Sequence, residues 1–407
     1  MVSLRASADV EVCNSGHLRR LNLQRVLAVA MDRPGAFTRS ELIEVTGLSA
    51  PTVGSVVSHL IRRGLLRSLG VGPSRGGRRP CFMEFNARHG FVAGIDLGPA
   101  WTRMAVADLR GQRLAERVMP TPSGLGPSAL LRRIAAVAQG LLREAQVPPG
   151  RLLVVGAAAP GAVDRHHGMV VNLAPNLAGW EMVPMRDILR RALDAPVLVE
   201  NDVNLAILGE RWKGAARGHH TCAFISVGTG IGAGVVVQGE LHRGHHSLAG
   251  EIAFMCMGPQ YVERDFRPRG CLETLAGLKA LAARWPAAGR SPRERWVGEL
   301  FRAAQDGDRR ARRAVAQTAR LISMATANLS LVLDPSLIVL GGAMIAQAPQ
   351  LVSDVRRLVA GILPTPTEIV PSALGEEAPL WGTLLVATAE AQALLRARLR
   401  EPRLAAV

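Results

Sequence analysis

The segment from residue 40 to residue 69, SELIEVTGLSAPTVGSVVSHLIRRGLLRSL, constrains the fold of this chain most strongly. It predicts two short helices joined at Gly47, because glycine readily takes the left-handed conformation of such a turn. Ser49 can cap the second helix, and Pro51 falls in its first turn, where a missing backbone N–H costs little. Apolar residues at helical spacing predict a small shared core formed by Leu42, Val45, Leu48, Val53, Val57, Leu60 and Leu65. The pattern is typical of a helix-turn-helix, with an ordinary helical hairpin as the alternative.

The polar face of the second helix predicts contact with DNA. Short polar side chains can approach base edges or phosphates in a major groove, and a basic residue at the helix end can contact the backbone. The candidate residues are Ser49, Thr52, Ser55, Ser58 and Arg62. The alternative interpretation of this face is that it is merely solvated.

The next stretch, GVGPSRGGRRPCFMEFN from residue 70 to residue 86, predicts a β-hairpin wing, because glycines separate two short apolar strands. Arg75, Arg78 and Arg79 fall at its tip, where guanidinium groups can follow phosphates or enter the minor groove. A basic interdomain linker is the alternative, although a linker does not need flanking strands.

Composition supports contact with a polyanion. The 407 residues include 49 Lys plus Arg against 33 Asp plus Glu, which gives a formal net charge of +16. The length suggests two or three domains. The first residues lack the apolar core of a signal peptide and no later apolar run is long enough to cross a bilayer, so we expect a cytoplasmic protein without membrane contact. Five scattered cysteines predict free thiols.

From residue 90 onward, short apolar strands alternate with amphipathic helices, which indicates α/β organisation. Asp96 falls at the end of the strand FVAGIDLG, and a turn at Pro160 and Gly161 follows the buried strand LLVVGAAA. Asn201 and Asp202 lie where the strand PVLVEN runs into a helix. Open α/β sheets place their chemistry at such junctions.

A glycine-rich run, SVGTGIGAGVVVQGEL, matches a dinucleotide-binding pattern only loosely, because it leads into a second strand and not into a helix. It therefore predicts a hairpin. The amides of residues 229 to 232 can form an anion-binding nest, or the run is simply a tight glycine turn. A second strand, SLIVLGG, ends at Gly341 and Gly342, and the repeated pattern implies two similar halves with a cleft between them.

The motifs GAAAPGAVD, NLAGW, VENDVNLAILGE, SVGTGIGAGVVVQGEL with AGE, GCLE and LDPSLIVLGG occur in this order, and with them the chain resembles the ROK family of sugar-responsive repressors and sugar kinases. The resemblance implies an α/β chain with an N-terminal winged helix-turn-helix and a two-lobed, actin-like and hexokinase-like (ribonuclease H-like) ATPase fold. The expected divisions are residues 1–17 as a flexible N-terminus, 18–87 as the winged helix-turn-helix, 88–205 as the first lobe and 206–407 as the second lobe. The C-terminal helix is expected to pack on the second lobe.

The resemblance also assigns the expected binding residues. Sugar contacts are implied for Gly161, Asn176, Asn201, Asp202, Glu251 and Glu273. Phosphate or nucleotide contacts are implied for Asp96, Gly98, Thr229, Gly230, Gly232, Gly341 and Gly342. Asp202 matches the catalytic base of the kinases and would be vestigial in an inactive chain. Carboxylates and amides suit polyols, since a missing or inverted hydroxyl leaves a buried polar group unpaired.

Two departures from the family pattern change the expected cofactors. The family's phosphate loop reads D-x-G-G-T, but here Gly98 is followed by Pro99 and Ala100, which removes an N–H donor and a hydroxyl. ATP and magnesium are therefore not expected. Phe254 replaces a zinc-binding histidine, and of the family's cysteines only Cys271 remains, so no metal is expected. A rearranged zinc site would have to use His245, His246, Cys256 and Cys271.

Two functions remain open from the sequence. The first is a DNA-binding regulator of carbohydrate metabolism, acting as a repressor, whose degenerate sugar-kinase domain senses a sugar or sugar derivative. Its expected partners are a double-stranded DNA operator, the sugar effector and further copies of the chain in a homodimer or homotetramer. The second is an active, glucokinase-like ATP-dependent carbohydrate kinase that carries a DNA-binding domain. The altered loop at Pro99 favours the first.

Overall fold

The computed structural model describes residues 15–72, 79–122, 124–172, 176–177, 179–267, 269–286 and 296–399. The described residues divide into two compact units. The first unit contains the residues up to Gly90, residues 108–110 and the residues from Ala389 onward. The second unit contains Phe91–Ala107 and Gly111–Thr388.

The first unit is a winged helix-turn-helix. Its elements in chain order are α1 (Ser15–Asp32), β1 (Phe37–Thr38), α2 (Arg39–Thr46), α3 (Ala50–Arg62), β2 (Leu66–Val71) and β3 (Cys81–Phe85). The strands form one sheet in the order β1-β3-β2, with antiparallel pairing. The hairpin of β2 and β3 is the predicted wing. Its predicted tip residues Arg75 and Arg78 lie outside the described residues.

The helix ends follow the predicted signals. Thr38 and Glu41 form a reciprocal capping box at the start of α2. Gly47 ends α2 with φ +64°, and no other atom lies near its position, so the glycine is required by the backbone conformation alone. The Ser49 hydroxyl accepts a hydrogen bond from the Thr52 N–H at the start of α3. The turn is therefore built by local sequence.

Three details of this unit differ from the prediction. Val45 is 55% exposed, and Thr46 is buried in its place, because Leu42 and Thr46 lie one helical turn apart on the inner face of α2. Leu48 is only half-buried. Helix α1 begins at Ser15, so residues 15–17 belong to a helix and not to a flexible N-terminus; residues 1–14 lie outside the described part.

The second unit contains two mixed sheets. The elements of its first half are β4 (Phe91–Leu97), β5 (Trp101–Asp108), β6 (Arg113–Pro120), α4 (Pro127–Glu144), β7 (Leu152–Ala159), β8 (Ala162–Asp164), β9 (Met169–Asn172), α5 (Met185–Leu193) and β10 (Val197–Asn201). The first sheet has the order β10-β7-β4-β5-β6. Strand β7 pairs in parallel with both β4 and β10, whereas β5 and β6 are antiparallel.

The second half repeats this arrangement. Its elements are α6 (Asp202–Lys213), β11 (Cys222–Val227), β12 (Ile231–Val237), β13 (Glu240–Leu241), α7 (Cys271–Ala276), α8 (Leu278–Arg284), α9 (Val297–Gln305), α10 (Arg309–Leu333), β14 (Leu337–Gly341), α11 (Ala343–Gln347), α12 (Gln350–Ala360), β15 (Glu368–Pro371) and the part of α13 (Ala378–Arg398) that precedes Ala389. The second sheet has the order β13-β12-β11-β14-β15, in which β11 takes the place of β4. The two predicted similar halves are confirmed, as is the hairpin, in which Val227 pairs with Ile231.

Helix α13 packs on both halves. Its residue Ala378 lies in the hydrophobic cluster formed with β11, β12 and β14, as expected for packing on the second lobe, and Thr383 lies against the first sheet. Gly94 and Gly156 are paired neighbours on β4 and β7, and a Cβ at either position would collide with Thr383 of this helix. The two glycines therefore form a groove for the helix, and any side chain at either position would fill it. None of the described helices is long and apolar enough to cross a membrane.

Candidate functional site

A cavity of about 760 Å³ lies in the second unit, where the carboxyl ends of strands from both sheets meet. The sugar and phosphate residues expected from the sequence line it, with the exception of Gly341. Those that line it are Asp96, Gly98, Gly161, Asn176, Asn201, Asp202, Thr229, Gly230, Gly232, Glu251, Glu273 and Gly342. Segments that are far apart in sequence thus converge on one cleft.

The junction of β10 and α6 places Asp202 at the cavity. Asn201 caps the helix, because its Oδ1 accepts hydrogen bonds from the N–H groups of Val203 and Asn204. Its Nδ2 donates to the Gly161 carbonyl at 3.0 Å. The Asn201 oxygen is therefore used within the protein, and the residue holds the Gly161 turn and Asp202 in position. The Asp202 carboxylate accepts a hydrogen bond from the Val203 N–H at 2.9 Å.

Glu273 and Asn176 converge on the turn between β11 and β12. Glu273 Oε2 accepts the Ile231 N–H at 3.1 Å. A Cβ on Gly230 would lie 3.3 Å from Glu273 Oε2 and 3.9 Å from Asn176 Nδ2. Within the part of the chain that the structure describes, the buried atoms Glu273 Oε1 and Asn176 Oδ1 have no hydrogen-bond partner. Buried acceptors without partners are costly, which makes them candidate positions for ligand hydroxyl groups.

Glu251 completes this wall of the cavity. The preceding Gly250 has φ +90°, and a Cβ there would collide with the Ala233 carbonyl of β12. The backbone of this segment is fixed by the Ala233 N–H, which donates to the Gly250 carbonyl at 2.7 Å. A glycine is therefore required for the loop to approach the sheet closely enough to put Glu251 in the cleft.

Burial dominates the electrostatics of these carboxyl groups. It raises the pKa of Asp96 to about 7 against the opposing effect of Arg103, and it raises the pKa of Asp202 to about 6. Burial and the neighbouring Asp202 and Glu273 raise the pKa of Glu251 to about 7. The pKa of Glu273 is also raised by burial. Several carboxyl groups with raised pKa values in one cleft are typical of a functional site.

The phosphate loop after β4 has its donors engaged or missing. The Gly98 N–H donates to the Trp101 carbonyl at 3.0 Å, and the Gly98 carbonyl accepts from the Thr121 hydroxyl at 2.7 Å. Pro99 has no N–H. Arg103 donates to Glu376 at 2.6 Å and lies 3.9 Å from Asp96, so its charge is already paired. In this loop, the Gly98 N–H and the Arg103 guanidinium are therefore already engaged within the protein, and Pro99 offers no donor.

Gly341 and Gly342 of the expected nucleotide site have packing roles. Gly342, with φ +88°, lies so close to Ser226 and Val227 of β11 that a side chain would not fit. A Cβ on Gly341 would collide with the Phe224 ring. The close approach of β14 to β11 therefore accounts for both glycines without a nucleotide.

The residues around Phe254 do not fit a zinc ion. Phe254 lines the cavity one turn from Glu251. Cys271 is buried, whereas Cys256 is exposed and its thiol contacts the Gly258 carbonyl. Over residues 15–399, apart from the undescribed gaps, no group of three His, Cys, Asp or Glu side chains could hold a metal ion. The rearranged site from His245, His246, Cys256 and Cys271 therefore has no geometric basis.

The candidate DNA-binding residues lie on the first unit. Ser55 and Arg62 of α3 are exposed, and Thr52 is half-buried beside the capping residue Ser49. The Ser58 hydroxyl donates to the Gly54 carbonyl of its own helix at 2.8 Å, which leaves it less suited to a base contact. Arg79, which lies on the loop side of the wing hairpin just before β3, is exposed.

Several cavity residues were not predicted from the sequence. Trp101, Arg103 and Arg269 line the cleft, as does Glu376, which follows the second sheet. The sequence did offer one signal for Trp101 and Arg103: their spacing along β5 puts both side chains on the same face of the strand. No sequence signal indicated Glu376, because only the fold brings this residue to Arg103.

The fold joins a winged helix-turn-helix to a duplicated, two-lobed α/β unit of the sugar-kinase type. The family model of the ROK family matches residues 92–390, and the chain belongs to the ROK family.

The chain is 28% identical over 335 residues to the xylose repressor of Caldicellulosiruptor bescii, an alignment that covers 80% of this chain and 83% of the relative. It is 30% identical over 308 residues to the glucokinase of Thermotoga maritima, covering 72% and 95%. A solved ROK family transcriptional regulator, described as a homolog of the E. coli MLC protein, superposes with a TM-score of 0.73 at 22% identity and covers 95% of this chain and all of the other. This structural similarity covers both units, and it shows that the two chains share a fold.

Proposed function

We propose that this protein is a DNA-binding transcriptional repressor whose sugar-kinase-like unit binds a sugar-type effector. The proposal rests on a difference between the sugar-binding part and the phosphate-binding part of the cleft. Its polyol-type groups are present, with free acceptors on Asn176 and Glu273, while the phosphate loop at Pro99 has lost its donors. A chain that binds sugar but has no use for phosphate is suited to sensing.

The relatives support the same assignment. The similarity to xylose repressors extends over the winged helix-turn-helix as well as the sugar-kinase-like unit, for example over 92% of this chain for the Bacillus subtilis protein. The similarity to glucokinases covers less of the chain. An operator-binding protein would act in the cytoplasm, and as a homodimer or homotetramer it would match a two-fold symmetric operator.

Effector control requires that the ligand favour one of two states. The cavity is formed by elements of both sheets, so a ligand held between Asp202 and Glu273 favours a closed cleft. If the closed form has a different affinity for the operator, ligand binding shifts the population of DNA-bound protein. A ligand with equal affinity for both forms would change nothing.

An active carbohydrate kinase is the second candidate. It is favoured by Asp202, a buried carboxyl group at a helix start whose raised pKa of about 6 suits a general base. The test is magnesium-dependent ATP turnover with a panel of hexoses and pentoses, using Asp202→Asn as the matched inactive variant. Turnover that disappears in Asp202→Asn would establish the kinase.

The repressor proposal is tested by selective binding to duplex DNA. We expect tight binding to the region upstream of the chain's own gene, weakened by Ser55→Ala and Arg62→Ala, with weaker and more salt-sensitive binding to random DNA. The control is Val262→Ala, an exposed residue of the other unit. Equal affinity for both DNAs would contradict the proposal.

A further inference from the structure

The cavity has two walls of different chemistry. One wall carries the free acceptors of Asn176 and Glu273 together with Glu251. The other wall is formed by the first sheet and the loop after β4. A cavity of about 760 Å³ falls in the range that holds ligands with several rings, so one sugar ring against the first wall leaves the second uncovered.

The first-sheet wall is largely apolar. Trp101 and Arg103 are two residues apart on β5 and therefore lie on the same face, and Arg103 pairs across the sheet with Val118 of β6. Pro99 and Pro379 line the cavity beside them. Val118 is 55% exposed. An indole, two proline rings and a valine form a surface suited to a ring with an apolar face.

The charged groups on the same wall are mostly carboxyl groups. Arg103 is held by Glu376 and lies near Asp96, so its positive charge is balanced by these carboxyl groups. Asp202 adds a further carboxyl group that interacts with Asp96. Of the remaining lining arginines, Arg269 lies close enough to Glu273 to favour its charged form, and Arg302 is an exposed residue of α9; both belong to the second half and not to the first sheet. A phosphate on the first-sheet wall would face carboxyl groups without an unpaired guanidinium.

We infer that the effector is an uncharged glycoside, with its sugar ring on the wall of Asn176, Glu251 and Glu273 and a ring-shaped, apolar-faced aglycone against Trp101. This inference rests on the proposed function and names its ligand class. The space that a nucleotide would need in a kinase becomes the aglycone subsite, and Trp101 is its specificity-determining residue. Sugar phosphates are excluded from the same subsite by its charge.

The experiment is a calorimetric titration of the full chain with matched ligands. The probes are p-nitrophenyl glycosides of xylose, glucose and galactose, the corresponding free sugars and their phosphates. We expect the best nitrophenyl glycoside to bind roughly tenfold more tightly than its free sugar, because an aromatic contact adds this much affinity. We expect the phosphates to bind more weakly than the free sugars.

Variants separate the two walls. In Trp101→Ala the preference for the nitrophenyl glycoside should fall to threefold or less while the affinity for the free sugar is retained, and Trp101→Phe should restore most of the preference. Glu273→Gln should weaken the free sugar and the glycoside by the same factor. Val262→Ala, outside the cavity, should leave all affinities unchanged. Retained binding of the free sugar also shows that Trp101→Ala is folded.

The outcomes distinguish this inference from the proposed function. If a free sugar binds and changes operator binding but the nitrophenyl group adds no affinity, the glycoside inference is wrong and the repressor proposal stands. Tighter binding of a sugar phosphate would overturn the inference in the same way. If the operator is bound selectively and neither sugars nor glycosides bind, the sensing part of the proposed function fails as well.

Discussion

Replacing Glu251 with glutamine should stabilise the sugar-kinase-like unit much more at pH 8 than at pH 5. The pKa of Glu251 is raised to about 7 from an ordinary value of 4.5, chiefly by burial, with Asp202 and Glu273 adding to the effect. The folded state therefore binds the proton more tightly than the unfolded state. The stability that the protonated group provides is present below pH 4.5 and is lost as the pH rises through about 7.

The size of this loss follows from the two pKa values. A pKa difference of this size corresponds to about 3 kcal/mol, and the part of the side chain that stays in contact with water reduces the expected value to about 2–3 kcal/mol. Glutamine has nearly the same shape and carries no proton to lose. The free energy of unfolding of Glu251→Gln relative to the unsubstituted chain should therefore increase by this amount between pH 5 and pH 8.

The assay is urea unfolding followed by tryptophan fluorescence. All six tryptophans, Trp101, Trp180, Trp212, Trp285, Trp296 and Trp381, lie in the sugar-kinase-like unit, so the signal reports on that unit alone. The matched control is Glu263→Gln, which makes the same substitution at an exposed glutamate outside the cavity. A Glu251→Gln difference that is constant or that falls as the pH rises would show that the pKa of Glu251 is not raised in the folded state.

Three further predictions concern packing, backbone and DNA. Gly156→Ala should destabilise the sugar-kinase-like unit by about 3 kcal/mol in the same fluorescence assay, because the new Cβ collides with the Thr383 carbonyl; an unchanged midpoint would contradict the packing of α13. Gly47→Ala should cost about 1 kcal/mol, measured by amide hydrogen exchange in α2 and α3, because φ is +64° and there is no clash to add. Arg79→Ala should reduce the salt slope of DNA binding by about one, whereas an unchanged slope would remove this residue from the phosphate contacts.

Local signals in the sequence predicted the elements well. The turn at Gly47, the cap at Ser49 and the hairpin after Val227 were correct because each is set by residues close in the chain. The exception is Val45, which follows an apolar pattern but lies on the outer face of α2. In a helix as short as α2, several apolar stripes fit the same few residues, and only packing against other elements selects one.

Contacts between distant residues could not be predicted in the same way. The groove at Gly94 and Gly156 binds a helix more than two hundred residues further along the chain, and the glycines alone do not indicate which helix. The pairing of Arg103 with Glu376 likewise depends on the fold. The motifs did identify the residues that line the cleft, but the engagement of the Asn201 oxygen within its own helix appears only in the structure.

We propose that the sugar-kinase-like unit senses a sugar ligand for a DNA-binding repressor. This proposal is tested most directly by titrating the purified chain onto duplex DNA from upstream of its own gene, across a salt series, with and without the panel of sugars and glycosides. We expect sequence-selective binding whose affinity is changed by one ligand in the unsubstituted chain and by none in Glu273→Gln. Selective binding that no ligand changes, or an absence of selective binding together with magnesium-dependent sugar phosphorylation, would contradict it.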